Sequence, residues 1–196
     1  MRVITGKAKG HPLKTVKGRE IRPTADRVKE SLFNVLGPRV PDSVFLDLFA
    51  GSGAVGIEAL SRGARRCTFV DLSTQHLKVV AENLAATGLA DGAELLRRDA
   101  RAAVADLGHR GERFDLIFVD PPYGQELVPA ALEAIAQHGL LQPDGWVVCE
   151  RHHRDSVPDV VIGPDHAGGL SRFRELIFGE TVLSLYSKTT GVSAEQ

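Results

Sequence analysis

The stretch Asp47-Leu48-Phe49-Ala50-Gly51-Ser52-Gly53-Ala54-Val55-Gly56 constrains this chain more than any other. The apolar run from Val44 to Phe49 has the pattern of a buried parallel strand. It breaks at Gly51-Ser52-Gly53 and resumes as a helical pattern carrying Ile57 and Leu60. A strand feeding a glycine turn that opens a helix is the geometry of a nucleotide site. The glycines let backbone approach a ligand, and the first helical turn offers unpaired N–H groups. The run also reads Gly51-x-Gly53-x-x-Gly56, a literal dinucleotide fingerprint, which alone is weak and leaves the ligand open.

Downstream the pattern alternates strand and helix. Strands are expected at Val44–Phe49, Cys67–Asp71, Glu94–Arg97, Leu116–Val119 and Trp146–Glu150. Between them fall helices at about Gly53–Arg62, Thr74–Thr87, Arg101–Leu107 and Leu127–His138. Parallel strands need crossover helices, so the order predicts an α/β, doubly wound, mostly parallel sheet. Glu175–Phe178 and Val182–Tyr186, separated by Gly179-Glu180, read as a C-terminal antiparallel hairpin that brings the sheet to seven strands. Arg151 to Ser171 resists assignment, with Val160-Val161-Ile162 a possible short strand. His152 and His153 there lack metal-ligand spacing, so a loop is expected and no metal.

With 196 residues and 43% hydrophobic content the chain suits one domain with a small appendage. The appendage is residues 1–40. Val3-Ile4 and Leu13–Val16 suggest a small hairpin, and a helix follows Arg22-Pro23, with Thr24 as its cap and Val28, Leu32, Val35 and Leu36 as its apolar stripe. Residues 1–39 hold ten Lys/Arg against three acids, leaving an acidic remainder and a net charge of −1. A basic arm on an acidic body suits phosphate-backbone binding, which makes Arg2, Lys7, Lys9, Lys14, Arg19 and Arg22 candidate phosphate contacts. Residues 41–188 form the main domain and 189–196 a frayed tail. Cys67 and Cys149 lie in apolar runs and are expected as buried thiols. No run of 18 apolar residues and no signal-peptide core is present, so a cytoplasmic protein without membrane contact is expected.

Three carboxylates are expected at the carboxyl edge of the sheet, where open α/β folds bind ligands. Asp71 follows the glycine turn by about twenty residues, the spacing of a ribose-binding acid. Asp99, beside Ala100, can accept from an adenine exocyclic amine, or simply cap the next helix. Asp120-Pro121-Pro122-Tyr123 follows an apolar strand directly. Two prolines fix the backbone and remove two donors, Asp120 adds an acceptor, and Tyr123 adds a stacking face. That cluster suits a planar group bearing an amine.

These residues resemble the class I S-adenosylmethionine-dependent methyltransferases of the amino-methylating kind. More closely, the chain resembles the RsmD-type family, which methylates N2 of a guanine in 16S ribosomal RNA. The matching segments are Arg22-Pro23-Thr24-Ala25-Asp26-Arg27-Val28-Lys29-Glu30-Ser31-Leu32-Phe33-Asn34, Leu46-Asp47-Leu48-Phe49-Ala50-Gly51-Ser52-Gly53, Glu58-Ala59-Leu60-Ser61-Arg62-Gly63-Ala64 and Asp120-Pro121-Pro122-Tyr123.

The resemblance implies a seven-stranded Rossmann-like methyltransferase sheet and S-adenosyl-L-methionine as cofactor. Its substrate would be 16S rRNA in the small ribosomal subunit or an assembly intermediate, and a monomer is expected. It implies that Phe49, Ala50, Gly51, Ser52 and Gly53 wrap the methionine part, with Asp47 facing its amino group. Asp71 and Leu72 would flank the ribose, Asp99 and Ala100 the adenine. Asp120 and the Pro121 carbonyl would hold the target amine, with Pro122 stiffening the loop and Tyr123 stacking on the base. Thr24 and Arg27 would line the entrance. Asp71 stands where the family carries a longer Glu, and Asp99 where some relatives carry Asn. Adenine-N6 methylation of DNA shares the last motif, and an NAD-dependent oxidoreductase or a non-catalytic RNA-binding protein are the readings from other classes.

Overall fold

The computed structural model describes residues 1–15, 23–122, 127–164 and 169–189, with the side chains of 23–25 left aside. Eight strands form one sheet: β1 Val44–Asp47, β2 Arg66–Asp71, β3 Ala93–Arg97, β4 Phe114–Val119, β5 Leu141–His152, β6 Val160–Val161, β7 Leu170–Phe178 and β8 Thr181–Lys188. Their order is β3-β2-β1-β4-β5-β8-β7-β6. The first five are parallel, and β8, β7 and β6 are added antiparallel. The fold is therefore the expected α/β class with its C-terminal hairpin. The eighth strand is the two-residue edge β6, within the Val160-Val161-Ile162 run that the sequence offers as a short strand.

Among the described residues five α-helices cover both faces: α1 Pro23–Leu36, α2 Ala54–Ser61, α3 Thr74–Thr87, α4 Ala100–His109 and α5 Leu127–Gln137. On one face α4 and α5 bury Val104, Leu107, Leu132 and Ile135 against Leu46, Ile117 and Val147. On the other, the arm, α1, α2 and α3 bury Val3, Leu32, Phe33, Ile57 and Val80 against Phe45, Phe69 and Phe118. Alternate residues along β1 and β4 thus feed opposite cores, as a central strand of a doubly wound sheet requires. Both cysteines are free and buried, as expected.

Helix α1 begins at Pro23, a residue pre-set for the first helical position, so Thr24 stands inside the first turn and not before it as its cap. Gly37-Pro38 ends α1 as expected, through a 3-10 turn over Gly37–Arg39. Strand β5 starts five residues earlier than its apolar pattern indicates. Leu141 pairs with Phe114, the register shifts, and Trp146 then pairs with Leu116. Pro143, Asp144 and Gly145 form this irregular entry to the strand.

The N-terminal residues make the expected small hairpin. Arg2 bridges Pro12, and Val3 and Leu13 donate to the carbonyls of His11 and Met1 at 3.0 Å each. Its tip packs against the end of α2. Gly6 has φ +88, and a Cβ there would lie 1.9 Å from the Ser61 carbonyl oxygen. Only glycine fits that approach.

Candidate active site

Strand order reverses between β1 and β4, which lie side by side while their crossovers leave in opposite directions. Crevices at such switch points hold the ligands of open α/β sheets. Asp47 ends β1 and pairs in register with Phe118, so Asp120 follows just past the end of the adjacent strand.

The glycine turn is anchored on both sides. Leu48 N–H donates to the Phe118 carbonyl at 3.0 Å, and Ala50 N–H to the Val70 carbonyl at 2.9 Å. Gly53 then caps α2 with φ 76, a left-handed conformation that side chains disfavour, and as glycine it adds no side-chain bond to the cap. Asp47 does part of that work from inside: its Oδ2 accepts the Gly56 N–H at 3.0 Å. Gly56 has a separate packing role, as a Cβ there would lie 2.3 Å from the Phe69 ring and 2.7 Å from Cys67 Sγ.

Asp47 is 2% exposed. Burial pushes its carboxyl up to about 7; the Gly56 N–H opposes this, and the charges of Asp120 and Asp71 add to it. The site thus concentrates negative charge in a buried crevice, which a cationic ligand would relieve. That chemistry fits the amino group of a methionine-type cofactor.

Asp71, at the end of β2, orders the turn as well. Its Oδ2 accepts from Gly51 N–H and contacts His76 Nδ1, each at 2.9 Å, and its Oδ1 accepts from Ser73 N–H at 2.8 Å. His76 was not foreseen; it stands in the first turn of α3, which Ser73 caps. Leu72 beside it is 68% exposed. Asp99 caps α4, with Oδ1 accepting from Arg101 and Ala102 at 3.0 and 3.3 Å. The capping alternative is therefore realised, and Ala100 is the buried first residue of that helix.

At the end of β4, Asp120 is partly buried, Pro121 buried and Pro122 exposed. Tyr123 lies outside the described residues, as do Arg19, Arg22 and the side chain of Thr24. Arg2, Lys7, Lys9 and Arg27 are exposed. Lys14 is exposed too, but its Nζ pairs with Glu82 at 2.8 Å. The hairpin tip lies along the end of α2 remote from the glycine turn, about 12 Å away for an eight-residue helix.

Several buried polar residues that hold the arm escaped sequence reasoning. Glu58 is fully buried in α2 and accepts from Ile4 N–H at 2.7 Å, Thr5 N–H at 3.0 Å and Arg62 Nε at 2.8 Å. Lys29 of α1 is 4% exposed, lies 3.5 Å from Glu58 and donates to the Arg2 carbonyl at 2.8 Å. Burial lowers its ammonium pKa, against the pull of Glu58. Ser61 Oγ donates to the Thr5 carbonyl at 2.6 Å and accepts from Ala8 N–H at 3.0 Å. A charged or hydroxyl residue facing the apolar side of a helix was the available signal.

A family model described as "Conserved hypothetical protein 95" matches residues 1–187. The chain belongs to this family. Within it, YlbH of Bacillus subtilis (strain 168), provisionally named an rRNA methyltransferase, is 41% identical over 96% of this chain and 99% of its own length. The Escherichia coli (strain K12) protein named "Ribosomal RNA small subunit methyltransferase D" is 32% identical over 96% of this chain and 90% of its own. The solved structure of yhhF from Escherichia coli, provisionally titled a methyltransferase, superposes with a TM-score of 0.79 at 32% identity, covering 96% and 97% of the two chains. The Conserved hypothetical protein 95 family is thus the RsmD-type group whose motifs the sequence carries.

Proposed function

We propose that the protein is an S-adenosyl-L-methionine-dependent methyltransferase acting on the exocyclic N2 amine of a guanine in 16S rRNA of the small ribosomal subunit. The observation that carries this reading is the convergence of Asp47, Asp71 and Asp120 with the Gly51–Gly53 turn at the switch point. Relatives spanning nearly the whole chain bear ribosomal RNA methyltransferase names, which supports the substrate class.

In this reading Phe49 to Gly53 lie along the methionine moiety, and the buried Asp47 carboxylate, once ionised, pairs with its ammonium. Asp71 and Leu72 flank the ribose, and Asp99 with Ala100 borders the adenine. When bound, the cofactor supplies an activated methyl carbon, so the chain's task is mainly positioning. Pro121 offers a carbonyl and no N–H, so it and Asp120 are acceptors for the two hydrogens of an amine. Holding the amine this way favours a tetrahedral nitrogen and stabilises the positive charge growing on it. The target base has to leave its stack to reach such a crevice. Lys7, Lys9, Arg2 and Arg27 would contact phosphates, which position the RNA without reading its sequence.

The test is transfer of labelled methyl groups to small subunits from cells lacking the protein, with the product mapped by nucleotide. Labelling of N2 of one guanine is expected. Labelling of adenine N6 in duplex DNA instead, or binding of NAD in preference to S-adenosylhomocysteine, would overturn the reading.

A further inference from the structure

We infer that Asn83 is a positioning residue that links the N-terminal hairpin to the glycine turn, so that RNA on the arm and cofactor on the turn bind cooperatively. This rests on the methyltransferase reading above.

Asn83 sits in α3 and is 2% exposed. Its carboxamide treats Lys14 as a neighbouring strand would: Oδ1 accepts the Lys14 N–H at 2.8 Å, and Nδ2 donates to the Lys14 carbonyl at 3.0 Å. The second Nδ2 hydrogen goes to the Ser52 carbonyl, also at 3.0 Å. A primary amide has two N–H donors, and here both are committed. One is spent on the arm and one on the turn that would hold the methionine moiety. Neither Lys14 nor Ser52 can shift far without stripping a hydrogen bond from the buried Asn83 carboxamide.

The neighbours of Asn83 on α3 strengthen the link. Val80 packs where a Cβ on Gly53 would meet it at 3.1 Å, so the same helix fixes the next residue of the turn. Glu82 holds the Lys14 ammonium at 2.8 Å. His76, in the first turn of α3, contacts Asp71 at 2.9 Å. One helix therefore touches the arm, the turn and the ribose-side acid. A ligand that fixes the arm lowers the ordering cost of the turn, and the converse must hold by the same factor.

The full-length protein is used, with S-adenosylhomocysteine as one probe and small subunits from cells lacking the protein as the other. For the wild type, each probe is expected to tighten binding of the other by about fivefold or more, equally in both directions. Asn83→Ala removes both links; Asn83→Asp keeps the volume and the acceptor for Lys14 N–H but donates to neither carbonyl. In both variants the coupling factor is expected to fall to within about twofold of unity, with KM rising more than kcat falls. A purely structural Asn83 would lower the melting temperature and leave the factor intact, and that result overturns the proposal. So does a wild-type factor of unity. Lys14→Pro, which deletes the N–H that Asn83 accepts, gives a readout without RNA: S-adenosylhomocysteine affinity should drop by about threefold, and unchanged affinity refutes the link. Failure of the wild type to bind S-adenosylhomocysteine at all would appear before any variant is made, and would overturn the cofactor reading together with this one.

Discussion

The carboxylates of Asp47 and Asp120 stand at the ends of adjacent parallel strands, and the charge of Asp120 helps to hold a proton on Asp47. The two acids are thus electrostatically joined before any ligand arrives, and in the proposed function one serves the cofactor and the other the substrate. Replacing Asp120 by Asn should lower turnover by about a hundredfold or more, since the charge that stabilises the reacting nitrogen is lost. The same change should lower the Asp47 pKa. Single-turnover methyl transfer and a pH titration of S-adenosylhomocysteine affinity check both halves; unchanged turnover with intact binding would remove Asp120 from the chemistry.

The Asp47 carboxyl, ordinarily near 3.8, is raised to about 7 in the fold. Between those values the folded chain keeps a proton that the unfolded chain has released. This group's contribution therefore makes stability fall as pH rises through that window. An ammonium needs the ionised form, so affinity for S-adenosylhomocysteine should rise between about pH 6 and about pH 8 and then level off. Calorimetry across that range should show the rise for the wild type. For Asp47→Asn it should show weaker, pH-flat binding.

At Gly56 a methyl group would lie 2.3 Å from the Phe69 ring. Gly56→Ala should destabilise the protein by about 1–3 kcal/mol through overpacking, read as a lower unfolding midpoint with an unchanged m-value. A wild-type midpoint would mean that α2 and β2 part more easily than their packing indicates.

Glu58→Ala would leave Lys29 buried without its carboxylate and two arm N–H groups without an acceptor. A loss of about 3–5 kcal/mol is expected, with cleavage of the arm by protease well before the body. Equal protection of arm and body in this variant would show that Ser61 and Asn83 suffice.

Lys7 and Lys9 are exposed on the hairpin. Changing both to Ala should lower the slope of log affinity for small subunits against log salt by about one per residue, and leave S-adenosylhomocysteine binding alone. An unaltered slope would take the hairpin tip off the RNA.

Much of this was legible because local signals agreed with the global fold. Helix α3 runs over Thr74–Thr87 as its pattern indicates, since Ser73 caps one end and Gly88, with φ 67, closes the other. The acids at strand ends were legible for the same reason: apolar runs fix where a strand stops. The first residues of β5 were not, because their pairing depends on a register set by β4, far away in sequence. Nor were the tasks of Glu58, Lys29 and Asn83, which read as ordinary polar residues on helices. Their partners on the arm lie 27 to 69 residues away, and only the packed fold brings them together.

The hairpin at the N-terminus has a consequence for the order of assembly. Its partners Glu58 and Asn83 come 54 and 69 positions later than the hairpin residues they bind. During synthesis the hairpin must wait, cationic and unattached, until α2 and then α3 have left the exit tunnel. The hairpin is thus made early and settles late, and a nascent chain that stalls before α3 carries a loose basic strap where the finished protein has a fastened one.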